Sequence, residues 1–123
     1  SKNVNDLSHL TQGVGTPSSG NKLGKTTTAA EKLVDGVSGQ YFYLTDLIII
    51  NHDESAAVVV AIKSNTTTIF TMTLDAGQGF SHAFAKPVKF TVLGADVNVT
   101  LGSTAASPGV DVFINGFFTP VPK

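Results

Sequence analysis

The sequence contains no cysteine and no tryptophan, and its eight basic residues are all lysine. Without cysteine there is no disulfide bond, thiolate metal site or cysteine nucleophile, so packing or assembly must stabilise the fold. The absence of cysteine does not indicate whether the protein works in an oxidising or a reducing compartment. Charged residues make up 14% of the chain. Soluble domains usually carry roughly 25%, so much of this surface must consist of small and uncharged polar residues.

The distribution of charge argues against several classes of partner. The lysines are spread from Lys2 to Lys123 without a basic stripe, and the net charge is −1, which disfavours phosphate-driven binding of nucleic acid. No segment approaches the ~20 apolar residues of a membrane span, and the first thirty residues lack the pattern of a secretory signal. We therefore expect a soluble chain with no nucleic-acid and no membrane partner.

Residues 1–39 are predicted to form an extended N-terminal arm. They are rich in glycine and serine and contain few large apolar groups, a composition that cannot bury a core of its own. Within the arm, residues 27–34 are predicted to form a short helix with Thr26 or Thr27 as its N-cap. Removal of residues 1–30 is expected to leave a folded domain that associates poorly, because the arm would be ordered by neighbouring subunits.

Residues 40–123 are predicted to form one all-β domain, an antiparallel β-sandwich. Apolar and β-branched runs alternate here with turn signals every eight to twelve residues, which is typical of a sandwich or barrel. The link between the second and third runs is short enough for a hairpin. The predicted strands are 40–50, 56–63, 67–74, 80–84, 89–93, 96–101 and 110–114, with the last continuing through Phe117 and Phe118, and Pro87 ending the fourth or marking a sheet edge.

Alternation of apolar and polar residues predicts which side chains face the core. The predicted core consists of Val58, Val60, Ile62, Phe70, Met72, Leu74, Val97, Val99, Leu101, Val110, Val112 and Ile114. The first strand is apolar on both faces: Tyr41, Tyr43, Leu47 and Ile49 are predicted to point one way, and Phe42, Leu44, Ile48 and Ile50 the other. Since a two-layer sandwich covers one face of each strand, either the arm folds back over the second face or a neighbouring subunit covers it, and subunit contact is the favoured interpretation.

The densest cluster of potential metal ligands is Asn51–His52–Asp53–Glu54, one imidazole and two carboxylates in a turn. No second ligand cluster follows it, and loops of this composition are usually solvated turns. The preferred interpretation is that His52, Asp53 and Glu54 are exposed and replaceable without loss of folding. Three further carboxylates are assigned to turns or outward strand faces: Asp75, Asp96 and Asp111.

Other motifs are weaker. The segment 19–26 (SGNKLGKT) approaches a phosphate-binding loop, but Ser19 occupies its first glycine position and no strand is predicted before it. The imidazoles of His9 and His82 belong to no recognisable triad, and the G-x-S-x-G turn of hydrolases is absent. Sequons at Asn65 and Asn98 are short enough to occur by chance. We assign no catalytic, cofactor-binding or metal residue, expect no cofactor and expect that the protein is not an enzyme.

The segment 57–117 resembles small virion-surface proteins of bacteriophages, the head decoration or cement proteins and related capsid-fibre domains. The likeness rests on L-x-A-G-x-G-F at 74–80, the proline-interrupted A-K-P-V-K-F at 85–90, D-V-N-V-T-L at 96–101 and the closing V-x-V-F-I-N-G-F-F at 110–118. It implies a jelly-roll-like β-sandwich, often trimeric, that sits on a capsid lattice. The long N-terminal arm departs from this pattern, which leaves open whether the protein is a decoration protein, a minor capsid protein or the base of a spike.

The leading functional hypothesis is therefore a viral structural protein on the capsid surface of a virion, either a decoration protein or a minor capsid component. Its partners would be capsid proteins and copies of itself, with a trimer favoured. A carbohydrate- or receptor-binding module is the first alternative, since loops on sandwiches often carry ligand sites. Against this alternative, tryptophan is absent and both tyrosines fall in a strand. A small β-sandwich enzyme is the second alternative, and it lacks titratable residues at a telling spacing.

Overall fold

The computed structural model describes residues 15–120, which contain eight β-strands and no helix. Turns rich in glycine, asparagine and serine separate the strands, as expected where the chain must reverse direction. The strands are β1 (Thr16–Lys25), β2 (Glu31–Val34), β3 (Gln40–Asn51), β4 (Val58–Ser64), β5 (Thr67–Leu74), β6 (Gly79–Lys89), β7 (Val97–Leu101) and β8 (Val110–Pro120).

The strands form two four-stranded antiparallel sheets. Sheet A has the order β1-β8-β3-β6, and sheet B has the order β2-β7-β4-β5. The first strand pairs with the eighth, the second with the seventh, the third with the sixth and the fourth with the fifth. This is the topology of a long antiparallel hairpin rolled up into a sandwich, which defines a jelly roll. The predicted fold class, an antiparallel jelly-roll-like β-sandwich, is confirmed.

The core lies between the sheets and follows the predicted alternation. Ten of the twelve predicted core residues are buried, and Phe70 and Met72 are half-buried because β5 is the edge strand of sheet B. Aromatic rings fill one end of the core: Phe42 makes edge-on contacts with Phe90 and Phe118, with ring centroids 5.3 and 5.2 Å apart. Such edge-to-face pairs stabilise a core beyond the area that they bury.

A β-bulge at Thr45 changes the faces of β3. Against β8, Leu44 pairs with Gly116 and Asp46 with Asn115, so Thr45 is one extra residue in β3. The register with β6 also shifts at this point, where residues 84–87 of β6 lie opposite Thr45. The predicted grouping of β3 side chains was therefore wrong, because it assumed unbroken alternation. The side chains that face the core are Phe42, Leu44, Leu47 and Ile49, and those that face outward include Tyr41, Tyr43, Ile48 and Ile50.

Two strand predictions between residues 80 and 93 need correction. The strand predicted at 80–84 continues to Lys89, and it passes Pro87 because β6 is an edge strand whose outer N–H groups need no partner. The strand predicted at 89–93 is absent. Instead the N–H of Phe90 donates to the carbonyl of Phe42, and the ring of Phe90 is buried.

The predicted boundary of the N-terminal arm differs from the structure. Within residues 1–39, β1 pairs with β8 in sheet A and β2 pairs with β7 in sheet B, so both belong to the sandwich. The helix predicted over 27–34 is wrong, since Glu31–Val34 is a strand. Removal of residues 1–30 would delete β1 and is no longer expected to leave a folded domain. The remainder of the predicted arm, residues 1–14, lies outside the described residues.

Candidate assembly surface

The outward face of sheet A carries large apolar side chains along its two central strands. Cross-strand pairs place Tyr43 beside Phe117 and Ile48 beside Phe113 on this face. The bulge at Thr45 decides which side chains share this face, because it places Tyr41 and Tyr43 on the same side of β3 as Ile48 and Ile50. We call this surface the outer face of sheet A and define it by Tyr41, Tyr43, Ile48, Ile50, Phe113 and Phe117.

Aromatic contacts order one end of this face. The rings of Tyr43 and Phe117 are stacked with an interplanar angle of 5° and centroids 5.3 Å apart. The Nζ of Lys89 lies 4.1 Å from the centroid of the Tyr41 ring, within the range of a cation–π contact. These contacts restrict the rotation of the side chains at this end of the face.

The middle of the face is more open. Ile48 is 43% exposed, an unusual exposure for a large aliphatic side chain on a central strand. A shallow depression on its β1 side is lined by Asn21 and Phe113, and another on its β6 side is lined by Asp46 and Ser81. Ile48 therefore forms an apolar ridge between two grooves with polar walls.

The outward face of sheet B differs in chemistry. Its central strand β4 presents Ala61 and Lys63, with Thr71 of β5 and Thr100 of β7 opposite Ala61 on either side. Val59 is the only large aliphatic side chain on it that is strongly exposed among the described residues. Small polar side chains of this kind need no partner to cover them, whereas the aromatic and aliphatic side chains on sheet A favour one.

A buried polar network holds the loops at one end of the sandwich. Asn51, the last residue of β3, is fully buried and donates from Nδ2 to the carbonyls of Ala56 and Asp75, both at 3.1 Å. Its Oδ1 accepts from the N–H of Asp53 at 3.0 Å. The side chain thus connects the β3–β4 loop, which contains Asp53 and Ala56, to the β5–β6 turn, which contains Asp75.

Asp53 is the second organiser of this network. Its Oδ1 accepts from the N–H and Oγ of Ser55 and from the N–H of Ala56, and its Oδ2 accepts from the N–H of Ala106 at 3.0 Å. These hydrogen bonds, led by the one from Ala106, lower the pKa of Asp53 from 3.8 to about 2. Charged acceptors of several N–H groups are stabilised in this way.

The predicted exposure of His52, Asp53 and Glu54 is only partly correct. Asp53 is 5% exposed, so the prediction of an exposed residue at this position was wrong, and Glu54 is exposed as predicted. His52 is half-buried, and its Nε2 lies 2.9 Å from Oδ2 of Asp111, whose Oδ1 accepts from the N–H of Gly24. Within residues 15–120, no group of three or more potential ligand side chains is positioned to hold a metal ion.

The phosphate-loop-like segment 19–26 forms most of β1 rather than a loop before a helix. Lys25, the lysine of the motif, is buried, and its Nζ donates to the carbonyl of Ala29 and to Oε1 of Glu31. Lys22 binds the other carboxylate oxygen of Glu31 at 2.8 Å. The hydrogen bonds from Lys22 and Lys25 lower the pKa of Glu31, and the one from Lys22 is the larger cause.

The remaining candidate residues are dispersed. His82 lies exposed between the rings of Phe80 and Phe84 on the edge strand β6, and His9 lies outside the described residues. Asp75 is in the β5–β6 turn, and Asp96 accepts from the N–H of Gly36 before β7. The structure does not bring these groups together.

The two sequon asparagines are neighbours. Asn65 adopts a left-handed conformation (φ 57°) in the β4–β5 hairpin, which confirms the predicted hairpin. The Nδ2 of Asn98 donates to the carbonyl of Asn65 at 3.2 Å. Asn98 therefore has a structural role at this end of sheet B.

No protein-family model matches the sequence, and no curated protein matches it. Similar solved structures are a chain from Bacillus endospore appendages, described as disulfide-linked pili, and the coat protein of Tobacco streak virus. The first is 14% identical and covers 91% of this chain and 95% of that chain, with a TM-score of 0.47. The second is 10% identical and covers 88% of each chain, with a TM-score of 0.48.

A third similar structure is the insecticidal delta-endotoxin Cry8Ea1 from Bacillus thuringiensis. It is 12% identical, with 88% of this chain and 20% of that chain covered and a TM-score of 0.40. Likenesses at these identities and TM-scores carry no information on function. Between residues 15 and 120, no helix has the length and apolar character needed to cross a membrane.

Sequence reasoning missed two features of the site. Phe113 and Phe117 alternate with buried residues of β8 and so had to face outward, which makes the apolar outer face wider than β3 alone. The acceptor role of Asp53 was also missed. The order Asp53-Glu54-Ser55 is the signal that was available, since an aspartate often accepts from the backbone N–H two residues later.

Proposed function

We propose that this chain is a structural protein of a virus particle, a capsid decoration or cement protein or a minor capsid component, and that it performs no catalysis. One observation carries the proposal: the outer face of sheet A is aromatic and aliphatic, although nothing in the fold itself requires it to be. Contiguous exposed apolar surface is typical of association sites. A subunit that stabilises a particle by contacts needs such a surface and needs no pocket with converging titratable groups.

The proposed occupant of this face is a second copy of the chain. A contact of the face with itself gives a two-fold dimer, whereas the trimer favoured by the resemblance requires the face to meet a different surface of its neighbour. Lys89 lies beside Tyr43 near one end of β3, and Asp111 lies beside Ile50 near the other end. Copies that meet through this face can therefore place opposite charges together at its ends while the apolar middle is buried. Such charge complementarity fixes the relative orientation of two copies that meet through an apolar surface.

A carbohydrate- or receptor-binding module is the second candidate, and the stacked Tyr43 and Phe117 rings favour it. Flat aromatic surfaces pack against apolar faces of ligands, and the nearby Tyr41 hydroxyl is a hydrogen-bonding group. This candidate predicts that the protein binds a glycan as a monomer. The first candidate predicts self-association without any glycan.

The experiment compares two aspartate substitutions at equally exposed aliphatic residues. Ile48 on sheet A and Val59 on sheet B are 43% and 42% exposed, so Ile48→Asp and Val59→Asp perturb folding to a similar extent. Light scattering on the full chain is expected to give an oligomer whose mass Ile48→Asp lowers and Val59→Asp leaves unchanged. A monomeric wild-type protein that binds glycans would instead favour the second candidate.

The location on a virion requires its own measurement. Particles purified from a culture that produces the protein are analysed by mass spectrometry for its presence and copy number. A fixed stoichiometry to the major capsid protein, reduced by Ile48→Asp but not by Val59→Asp, supports a capsid-surface role. Absence of the protein from such particles would refute it.

A further inference from the structure

The two sheets leave four edge strands, and three of them carry features that oppose pairing with another chain. On β1 this feature is Pro17, and on β6 the features are Lys86, Pro87 and Lys89. The strand β2 has only four residues, and two of these are charged. Prolines, lysines and short length are the usual protection of a sheet edge.

The fourth edge, β5, has none of these features. Its one irregularity is an extra residue at Ile69, outside the stretch 70–74 that pairs regularly with β4. Its eight residues, TTIFTMTL, contain no charged residue, no proline and no glycine, and four of them are threonine. Exposed edges that are long, uncharged and rich in β-branched and aromatic residues are templates for another strand. In this chain such an edge is expected to be covered by a partner strand.

The backbone groups at this edge can be assigned from the ladder. The carbonyl of Val59 accepts from the N–H of Gly102, so the backbone groups of Val59 point away from β5. Because these groups alternate in direction along a strand, those of Val60 point towards β5 and its partner Met72. On β5 the neighbours of Met72, Thr71 and Thr73, therefore direct their N–H and C=O groups to the free edge.

Half-buried apolar side chains lie beside the same edge. β5 and β6 end their respective sheets and are not paired with each other, so the sandwich is open on this side. Phe70 and Met72 of β5 and Phe80 and Phe84 of β6 pack against the core but stay partly exposed there. A strand added to β5 would bring apolar side chains over this opening.

We propose that two copies of the chain pair through β5, antiparallel across a two-fold axis. A second copy is favoured as the partner because the other three edges of the chain are protected and β5 is not. Since β5 is uncharged, pairing it with itself brings no like charges together, and antiparallel pairing of one strand with its own copy is compatible with two-fold symmetry. The contact joins two copies of sheet B into one sheet of eight strands.

This interface is separate from the outer face of sheet A and does not depend on the proposed function. Where both contacts form, a face contact and an edge contact on each subunit allow assembly to extend beyond a closed oligomer. The two contacts are distinguishable, because Ile48→Asp removes only the first.

The test measures the mass of the full chain after substitutions at two matched threonines. Thr71 and Thr100 both lie opposite Ala61 on the outward face of sheet B, but Thr71 is on the edge and Thr100 is in an interior strand. Thr71→Pro removes a free-edge N–H, and Thr71→Lys adds a charge beside it. In the Ile48→Asp background, both are expected to halve the measured mass, whereas Thr100→Lys leaves it unchanged. Circular dichroism checks that each variant is folded.

A cross-linking experiment identifies the partner strand. Because the chain has no cysteine, Thr71→Cys and Thr73→Cys introduce unique thiols at the edge, with Thr100→Cys as the control. Mild oxidation is expected to give a covalent dimer from at least one edge variant and none from the control. A monomeric Ile48→Asp protein that yields no cross-linked dimer overturns the proposal. A dimer whose mass Thr71→Lys leaves unchanged also overturns it, as does a dimer in which residues 1–14 occupy the edge and no edge thiol cross-links.

Discussion

The Nζ of Lys25 lies 2.9 Å from Oε1 of Glu31, so a lysine of sheet A is paired with a carboxylate of sheet B. Lys25 is 1% exposed, and Lys22 binds the second oxygen of the same carboxylate. The strands β1 and β2 form one side of the sandwich, and this cluster joins them across the gap between the sheets. Ion pairs therefore hold the two sheets together on this side of the sandwich, where few large apolar side chains are present.

Loss of the carboxylate is expected to destabilise the fold more than loss of the lysine. Glu31→Ala leaves a buried ammonium with only the carbonyl of Ala29 as its partner, and an incompletely paired buried group of this kind costs about 1 to 3 kcal/mol. Lys25→Met removes the charge but keeps an apolar chain of similar length. Urea denaturation of both variants measures the difference. A Lys25→Met protein less stable than Glu31→Ala would show that the lysine is needed for more than neutralising Glu31.

Stability should fall in acid because of Asp53. The folded-state pKa of about 2 lies below the ordinary value of 3.8, so the folded protein favours the ionised carboxylate. The stabilisation is complete above the ordinary pKa and is lost as the pH falls from 3.8 towards about 2. Glu31, whose pKa is also lowered, acts in the same direction. Melting temperatures measured between neutral pH and pH 2 are expected to show this decline.

Asp53→Asn tests the origin of that decline. The amide replaces one acceptor oxygen with a donor that faces the N–H groups of the loop, so the melting temperature at neutral pH should drop and its acid dependence should flatten. Glu54→Gln is the matched control, since Glu54 is adjacent and exposed. Equal acid dependence in wild type and Asp53→Asn would mean that other carboxylates dominate.

Core and outer-face residues should separate stability from assembly. Leu101 is 3% exposed between the sheets, and Leu101→Ala is expected to cost about 2 to 5 kcal/mol because it leaves a cavity. Ile48→Ala removes an aliphatic side chain from the outer face of sheet A and should change monomer stability little while weakening self-association. Thermal unfolding and light scattering on both variants check this. An unchanged melting temperature for Leu101→Ala would show that its inward assignment is wrong.

The sequence was most informative where one face of a strand is apolar and the other polar. In β7, strict alternation identified the buried valines and leucine, and in β8 the run Val110, Val112 and Ile114 was identified although Phe113 interrupts the polar face. Both strands are interior strands of their sheets. The polar strands β1 and β2 could not be recognised in this way. They lie at sheet edges, bury few side chains and are held by backbone pairing and by the Lys25–Glu31 contact, none of which has a periodic signature.

The site was harder to predict than the fold because it depends on single irregularities. One inserted residue at Thr45 reverses the faces of half of β3, and composition alone does not place a bulge. The burial of Asn51 could not be predicted either, because the same bulge places its side chain on the inward face of β3. The expectation that β3 has a second apolar face was nevertheless correct. It depended only on β3 having more large apolar side chains than one face can hold, and not on which residues share a face.

Gly20 provides a direct test of whether β1 belongs to the domain. A Cβ atom added there would lie 1.8 Å from the carbonyl oxygen of Leu33 in β2, so the backbones of the two strands approach too closely for any side chain. Gly20→Ala must separate them and is expected to cost about 1 to 3 kcal/mol, as overpacking does. Gly79→Ala is the control, since its added Cβ would find its nearest neighbour at 3.8 Å. Chemical denaturation of both variants gives the comparison. If residues 16–34 were a detachable arm, Gly20→Ala would be as stable as wild type, whereas a selective loss of stability places β1 and β2 within the cooperative unit.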